Sequence, residues 1–202
     1  MAERKLNPGR MEAFSDGVIA VVITIMVLDL KVPAHAVSNV EGLRAIAPLL
    51  LIYLLSFVQV GIYWVNHHYM IEDVKQVSHA LLWANLGWLF SLSLIPFATT
   101  WVGERGLSPF SIALYSVCCS LPAATWLVVS RIIARTSGTM ESSGSAVKKV
   151  TSAALYLGAV PVAYTSQAAA IAMIAAVAVL WLIPPRRVCE QTREATSHPA
   201  PR

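Results

Sequence analysis

The sequence predicts an all-α, polytopic membrane protein of six transmembrane helices with both termini in the cytoplasm. Three observations carry that prediction. Of the 202 residues, 56% are hydrophobic and 13% are charged, against about 25% charged in soluble domains. The apolar residues gather in long runs instead of the one-sided period of a soluble helix. Lys and Arg segregate to alternate connections, as the cytoplasmic loops of membrane proteins require.

The runs are placed one by one. A hydrocarbon core of about 30 Å takes roughly 20 predominantly apolar residues per helix. Ala45–Trp64, Ala80–Trp101 and Phe110–Ile133 each supply such a stretch. Thr151–Ile183 is too long for one crossing and divides at Tyr164-Thr165-Ser166-Gln167, giving two helices and a tight turn. The first run, Gly17–Leu28, is short, rising about 18 Å, so this helix must draw in polar residues at both ends. Helices are expected at about 11–30, 45–66, 79–101, 109–133, 148–165 and 168–184, within one transmembrane domain, residues 1–188. The remainder, 189–202, is polar with Pro199 and Pro201 and is expected to be a disordered cytoplasmic tail.

The first run also resembles a secretory leader, with Arg4, Lys5 and Arg10 before it and Ala34-His35-Ala36 after it. Glu12 and Asp16 in the basic region, and Asp29 and Lys31 before the cleavage motif, favour a retained helix.

With six helices and the N-terminus inside, the inner segments hold Arg4, Lys5, Arg10, Lys75, Arg131, Arg135, Lys148, Lys149, Arg186, Arg187, Arg193 and Arg202. Only Lys31, Arg44 and Arg105 fall outside. Five or seven helices would spoil that partition. The basic residues sit in short loops near lipid headgroups, which accounts for the positive balance without nucleic acid. Cys118 and Cys119 read as small packing residues, and Cys189 as a reduced cytoplasmic thiol.

Chemistry concentrates in the first helix and the end of the second. Glu12 and Asp16 are four apart on one helical face, where like charges repel mildly. Because the apolar run is short, Asp16 must lie within the membrane thickness or a protein-lined vestibule. Intramembrane carboxylates face the bundle interior and need partners; a helix N-terminal role for Ser15 and Asp16 is the plainer alternative. Donors stand at matching depth in Tyr63-Trp64-Val65-Asn66-His67-His68-Tyr69 and in Ser78-His79 through Trp83 and Asn85. His67, His68 and Glu72 lack a fourth ligand and do not make a defined metal site. No nucleophile–base pair appears, so no enzyme is expected.

Arg10 followed by Phe14-Ser15-Asp16 resembles the R-x-x-x-F-S-D signature of the transmembrane protein 175 family of potassium channels. The run from Gly17 to Leu28 and Tyr63-Trp64-Val65-Asn66-His67-His68 are similar to its bacterial members. The resemblance covers essentially the whole chain, as one six-helix repeat. It implies a homotetramer in the cell inner membrane, with the first helix of each subunit lining a central pore and no cofactor beyond the permeant potassium ion. It also implies a structural network of Arg10, Phe14, Ser15, Asp16, Trp64, Asn66, His67, His68 and Asn85. By position from Asp16, the narrow hydrophobic ring falls at Val21, a pore-facing threonine at Thr24 and a second apolar ring at Leu28, with Ile25 beside them. Valine stands where family members often carry isoleucine or leucine.

The chain lacks T-V-G-Y-G, the carbonyl filter of other potassium channels. Thr99-Thr100-Trp101-Val102-Gly103 lacks the Gly-Tyr-Gly ending and reads as an outer segment. Selectivity is therefore expected from side-chain rings on the first helix. Two other classes remain. A small secondary transporter would carry ionisable groups at mid-span, and helices two to six have none. A non-conducting assembly protein would use a small-residue seam such as Ala168, Ala172 and Ala176.

Overall fold

The computed structural model describes residues 7–31, 38–72, 74, 76–137 and 143–182. The expected tail and the A-x-A motif lie outside them. The fold is all-helical, with six α-helices in the described residues: α1 Pro8–Ile25, α2 Asn39–Glu72, α3 His79–Arg105, α4 Pro109–Ser137, α5 Ser143–Val162 and α6 Gln167–Leu182. Four spans, Pro8–Asp29, Asn39–Glu72, His79–Arg105 and Pro109–Thr136, are long and apolar enough to cross a membrane, and Gln167–Leu182 is a shorter apolar helix.

The boundaries differ from the hydropathy runs for identifiable reasons. Asn7 caps α1 by accepting the Gly9 N–H at 3.0 Å, and Pro8 occupies the first turn, where its missing N–H costs nothing. The helix thus begins nine residues before the apolar run at Gly17. At its far end the α-helical pattern stops at Ile25 and tightens into a 3-10 turn over Met26–Asp29, instead of continuing as α-helix to 30. The helix α2 extends to Glu72, because polar side chains do not interrupt a backbone ladder. Ser78 caps α3, accepting from the Leu81 N–H at 3.1 Å. Gly106, at φ +72°, ends it, a backbone conformation that side chains with a Cβ rarely adopt.

One core gathers Met11, Ile19, Val22 and Met26 of α1 against Val60, Leu81, Trp88, Leu92 and Ile95, with Trp126 and Val129 behind. A second joins Ile52 and Ala98 to Ile112, Tyr115, Tyr156, Ala163 and Ile174. Between them the Ser56 hydroxyl lies 2.7 Å from Thr99 Oγ1 and 2.8 Å from the Tyr115 hydroxyl, linking α2, α3 and α4. Such interhelical hydrogen bonds satisfy polar groups that lipid cannot. The small residues Ala168, Ala172 and Ala176 are exposed along α6.

Candidate functional site

The helix α1 packs on α2 and α3 with one face only. Met11, Ser15, Ile19, Val22 and Met26 are buried. Phe14, Gly17, Val21, Thr24 and Leu28 are left uncovered along the opposite face. The contrast is plain at two neighbours of the same type: Val21 is 59% exposed and Val22 5%. A helix advances about 100° per residue, so these side chains belong to different faces. Ile25 is exposed between them. Among the described residues, the stripe is an apolar face against which no other helix of the chain packs.

Thr24 differs chemically from the rest of that stripe. Its hydroxyl donates to the Ala20 carbonyl at 2.8 Å, with the Val21 carbonyl at 3.2 Å. With its proton turned into the helix, the oxygen presents lone pairs outward. It can coordinate a cation but cannot donate to one side of the stripe.

Below the stripe lies the signature cluster, which separates into two tiers. The inner tier is fully enclosed. Ser15 Oγ donates to the Met11 carbonyl at 2.9 Å and accepts from Asn85 Nδ2 at 2.9 Å. The Asn85 amide oxygen lies 3.0 Å from His67 Nε2. An amide oxygen only accepts, so His67 must carry its proton on Nε2. His67 Nδ1 is buried without a hydrogen-bond partner among the described residues, which fits a neutral imidazole, since a second N–H there would have nothing to meet. The ring stacks on Trp88 with centroids 4.9 Å apart and planes 7° from parallel.

The outer tier is half open. Trp64 Nε1 donates to Asp16 Oδ1 at 2.9 Å, and His68 Nδ1 lies 2.9 Å from Glu12 Oε1, with Glu72 3.7 Å from its other nitrogen. The ring of Trp64 stacks on His68. Asp16 is half-buried, not enclosed; the enclosed residue of the pair is Ser15. At the other end of the helix Asp29 accepts from the Thr100 hydroxyl at 2.5 Å, and Lys31 pairs with Glu104 at 3.4 Å. Both ends of α1 are therefore latched to the helices behind it through carboxylates.

Several residues singled out from the sequence stand apart from this cluster. Arg10 is exposed, with no ion pair among the described residues, and Phe14 points out on the uncovered face. Asn66 spends its amide on the Ile62 carbonyl of its own helix, at 2.7 Å. Thr100 and Glu104 complete the latch at the far end of α1, and nothing in the sequence pattern paired them with residues some seventy positions earlier. Among the described residues no group of His, Cys, Asp and Glu is placed to hold a metal ion.

Comparison with known proteins places this arrangement. The family model described as endosomal/lysosomal potassium channel TMEM175 matches residues 10–96, which hold the uncovered face and both tiers. The chain is 39% identical to a potassium channel of Chryseobacterium sp. (strain P1-3) over 193 residues, 94% of this chain and 100% of that one. The protein belongs to the TMEM175 family. A crystal structure of a lysosomal potassium-selective channel TMEM175 homolog from Chamaesiphon minutus superposes with a TM-score of 0.74 at 26% identity, covering 87% of this chain and 96% of that one. The human endosomal/lysosomal proton channel TMEM175 is 37% identical over 99 residues, 44% of this chain and 19% of its own length. These relatives are ion channels and not enzymes.

Within a TMEM175 protein the Trp64–Asp16 bond is one part of the latch, and its removal has a bounded cost. Trp64→Phe deletes the indole donor and keeps most of the ring. The bond is partly exposed, so a loss of about 1 kcal/mol is expected, read as a modestly lower midpoint in thermal unfolding of the purified protein in detergent. An unchanged midpoint would show that water replaces the indole.

Proposed function

We propose that the chain is the subunit of a homotetrameric, potassium-selective channel whose four α1 helices line the pore. One observation carries this reading: α1 holds an apolar face with a single cation-competent hydroxyl clear of the rest of its own chain. Its family relatives are named potassium channels. Four Val21 side chains form the narrowest ring and close it by dewetting, and Leu28 forms a second apolar ring toward the outer mouth. The Thr24 oxygens between them replace part of the hydration of a passing ion. Asp16 and Asp29 bias the two mouths toward cations, while their hydrogen bonds hold the ends of α1 in place.

Flux from liposomes containing the purified protein tests the class. A channel gives fast passive potassium flux without saturation, a transporter gives coupled and saturating flux, and an assembly protein gives none. Thr24→Ala is expected to keep conduction and to lower the preference for potassium over sodium severalfold, measured as a shift in reversal potential under bi-ionic conditions. An unaltered reversal potential would remove Thr24 from the ion pathway.

The topology proposed is six crossings in the plasma membrane with both termini inside. Cysteines replacing the exposed Glu41 and Glu104 are expected to react with an impermeant maleimide from outside. Those replacing the exposed Gln76 and Thr136 are expected to react only after the membrane is opened. External labelling at Thr136 would sink the six-crossing arrangement.

A further inference from the structure

A second polar site lies away from α1, where α2, α5 and α6 meet. Gln59, Tyr63 and Asn66 follow one another at four- and three-residue spacing along α2. Ser152 and Tyr156 stand four apart on α5. Such spacing puts each set on one face of its helix, and the two sets line one cavity whose wall α4 and α6 complete. The cavity leaves about 30 Å³ for the centres of water-sized molecules, and one water needs roughly 10–15 Å³. It has room for about two waters and for little else.

Protein already answers several of the polar groups on this wall. Ser152 Oγ donates to the Lys148 carbonyl at 2.8 Å and accepts from Trp181 Nε1 at 2.8 Å. Asn66 Nδ2 donates to the Ile62 carbonyl at 2.7 Å. Gln59 is the exception. It is 2% exposed; its Oε1 accepts from the Cys119 thiol at 3.2 Å, and its Nε2 meets no acceptor among the described residues. Reversing the amide exchanges an unpaired donor for an unpaired acceptor. Buried polar groups in folded proteins are satisfied by protein or by ordered water, and hydrocarbon offers neither. The residues beside Gln59 can complete a water site. Tyr63 and Tyr156 carry hydroxyls that both donate and accept, and Asn66 has an amide oxygen that accepts. A cavity that stays dry is lined by apolar groups throughout; this one carries amides and phenols.

We propose that the cavity binds two ordered waters that bridge α2 to α5. One accepts the Gln59 N–H, and the pair donate among the Tyr63, Tyr156 and Asn66 oxygens. The helix α2 approaches α6 more closely than α5, and water spans the wider gap almost as well as a direct hydrogen bond would. The site depends neither on the orientation proposed above nor on α1 lining a pore. It has one consequence of definite sign: apolar atoms placed in the cavity must destabilise the protein, because they displace the partner of a buried N–H.

Two measurements on the full-length protein test this. The first is proton-detected solid-state NMR in lipid bilayers, with glutamine alone carrying 15N. Magnetisation is expected to pass directly from water to a side-chain amide whose signal Gln59→Leu removes. Transfer to the exposed Gln76 without transfer to Gln59 would overturn the proposal. The second is thermal unfolding in detergent of Ala178→Val, at a 5% exposed wall position. Its added methyl groups take the space of the waters and strand the Gln59 N–H, and the midpoint is expected to fall by about 2–4 °C. In a Gln59→Leu background there is no N–H to strand, so the same substitution is expected to leave the midpoint level or to raise it. A dry cavity gives the opposite sign in the unaltered background, since filling it restores lost packing. A raised midpoint for Ala178→Val alone, or equal losses in both backgrounds, would each overturn the proposal. If Ala178→Val fails to accumulate, the NMR transfer decides alone.

Discussion

Val21→Asn is expected to raise passive potassium flux, and Val22→Asn is not. The two positions carry the same residue in the same helix one step apart, so differences in helix propensity cancel. What differs is the face. Val21 is 59% exposed on the uncovered stripe, and Val22 is 5% exposed against the core. In the proposed tetramer each change at Val21 is repeated four times around one axis. Asparagine there offers water hydrogen-bond partners where valine offers none, and the ring no longer dries. A gain on the order of tenfold corresponds to about 1.4 kcal/mol less barrier, a small demand on four side chains that together keep a constriction dry. Val22→Asn instead buries an amide among Ile19, Met26 and their neighbours, at about 1–3 kcal/mol, and shows as lower yield without leak. Val21→Phe is expected to occlude the pathway, and Val21→Ile to reduce resting leak by adding a methylene per subunit. Potassium-driven flux in liposomes, normalised to reconstituted protein, measures all four. Equal effects at Val21 and Val22 would mean that the pore face is misassigned, and no effect at either would remove α1 from the pathway.

How far the sequence reaches is visible in the same helix. Its apolar run and its R-x-x-x-F-S-D opening are legible, because hydropathy and a fixed motif are both local. The partition of Val21 from Val22 is not legible from hydropathy, which treats two valines alike; it came only through resemblance and needs the packed neighbours to acquire a physical basis. The long second helix shows a different limit. Hydropathy marks where lipid contact ends near residue 66, whereas the backbone ladder runs on to Glu72 and carries His67, His68 and Glu72 with it. Asp16 stands out in sequence because charge is conspicuous in a membrane span, yet the enclosed node is the less conspicuous Ser15. Thr100 illustrates the remainder. Its partner Asp29 is seventy-one positions away, and that pairing exists only once α3 lies beside the end of α1.

The enclosed node gives the largest expected effect on stability. Among the described residues Asn85 bridges both sides of it, donating to Ser15 Oγ on α1 and accepting from His67 Nε2 on α2. Asn85→Leu fits a 3% exposed site in size but supplies neither function. Single interhelical hydrogen bonds in membrane proteins average about 0.6 kcal/mol, so two lost bonds alone would be a mild change. The greater cost is what remains: the His67 N–H stays buried, stacked on Trp88, with both ring nitrogens then unpaired. A buried donor without a partner costs about 1–3 kcal/mol, which brings the expected total to about 2–4 kcal/mol. Asn66→Leu is the control, since among the described residues its amide bonds only within its own helix and its loss is expected to cost less than about 0.5 kcal/mol. Thermal unfolding of both variants in detergent gives the comparison. A cycle with Ser15→Ala then tests the route, because the two changes remove one shared bond and their sum must exceed the double variant's loss. Strict additivity would place Ser15 and Asn85 in separate environments, and a small effect of Asn85→Leu would mean that α1 is held by its exposed carboxylate latches and not by its buried core.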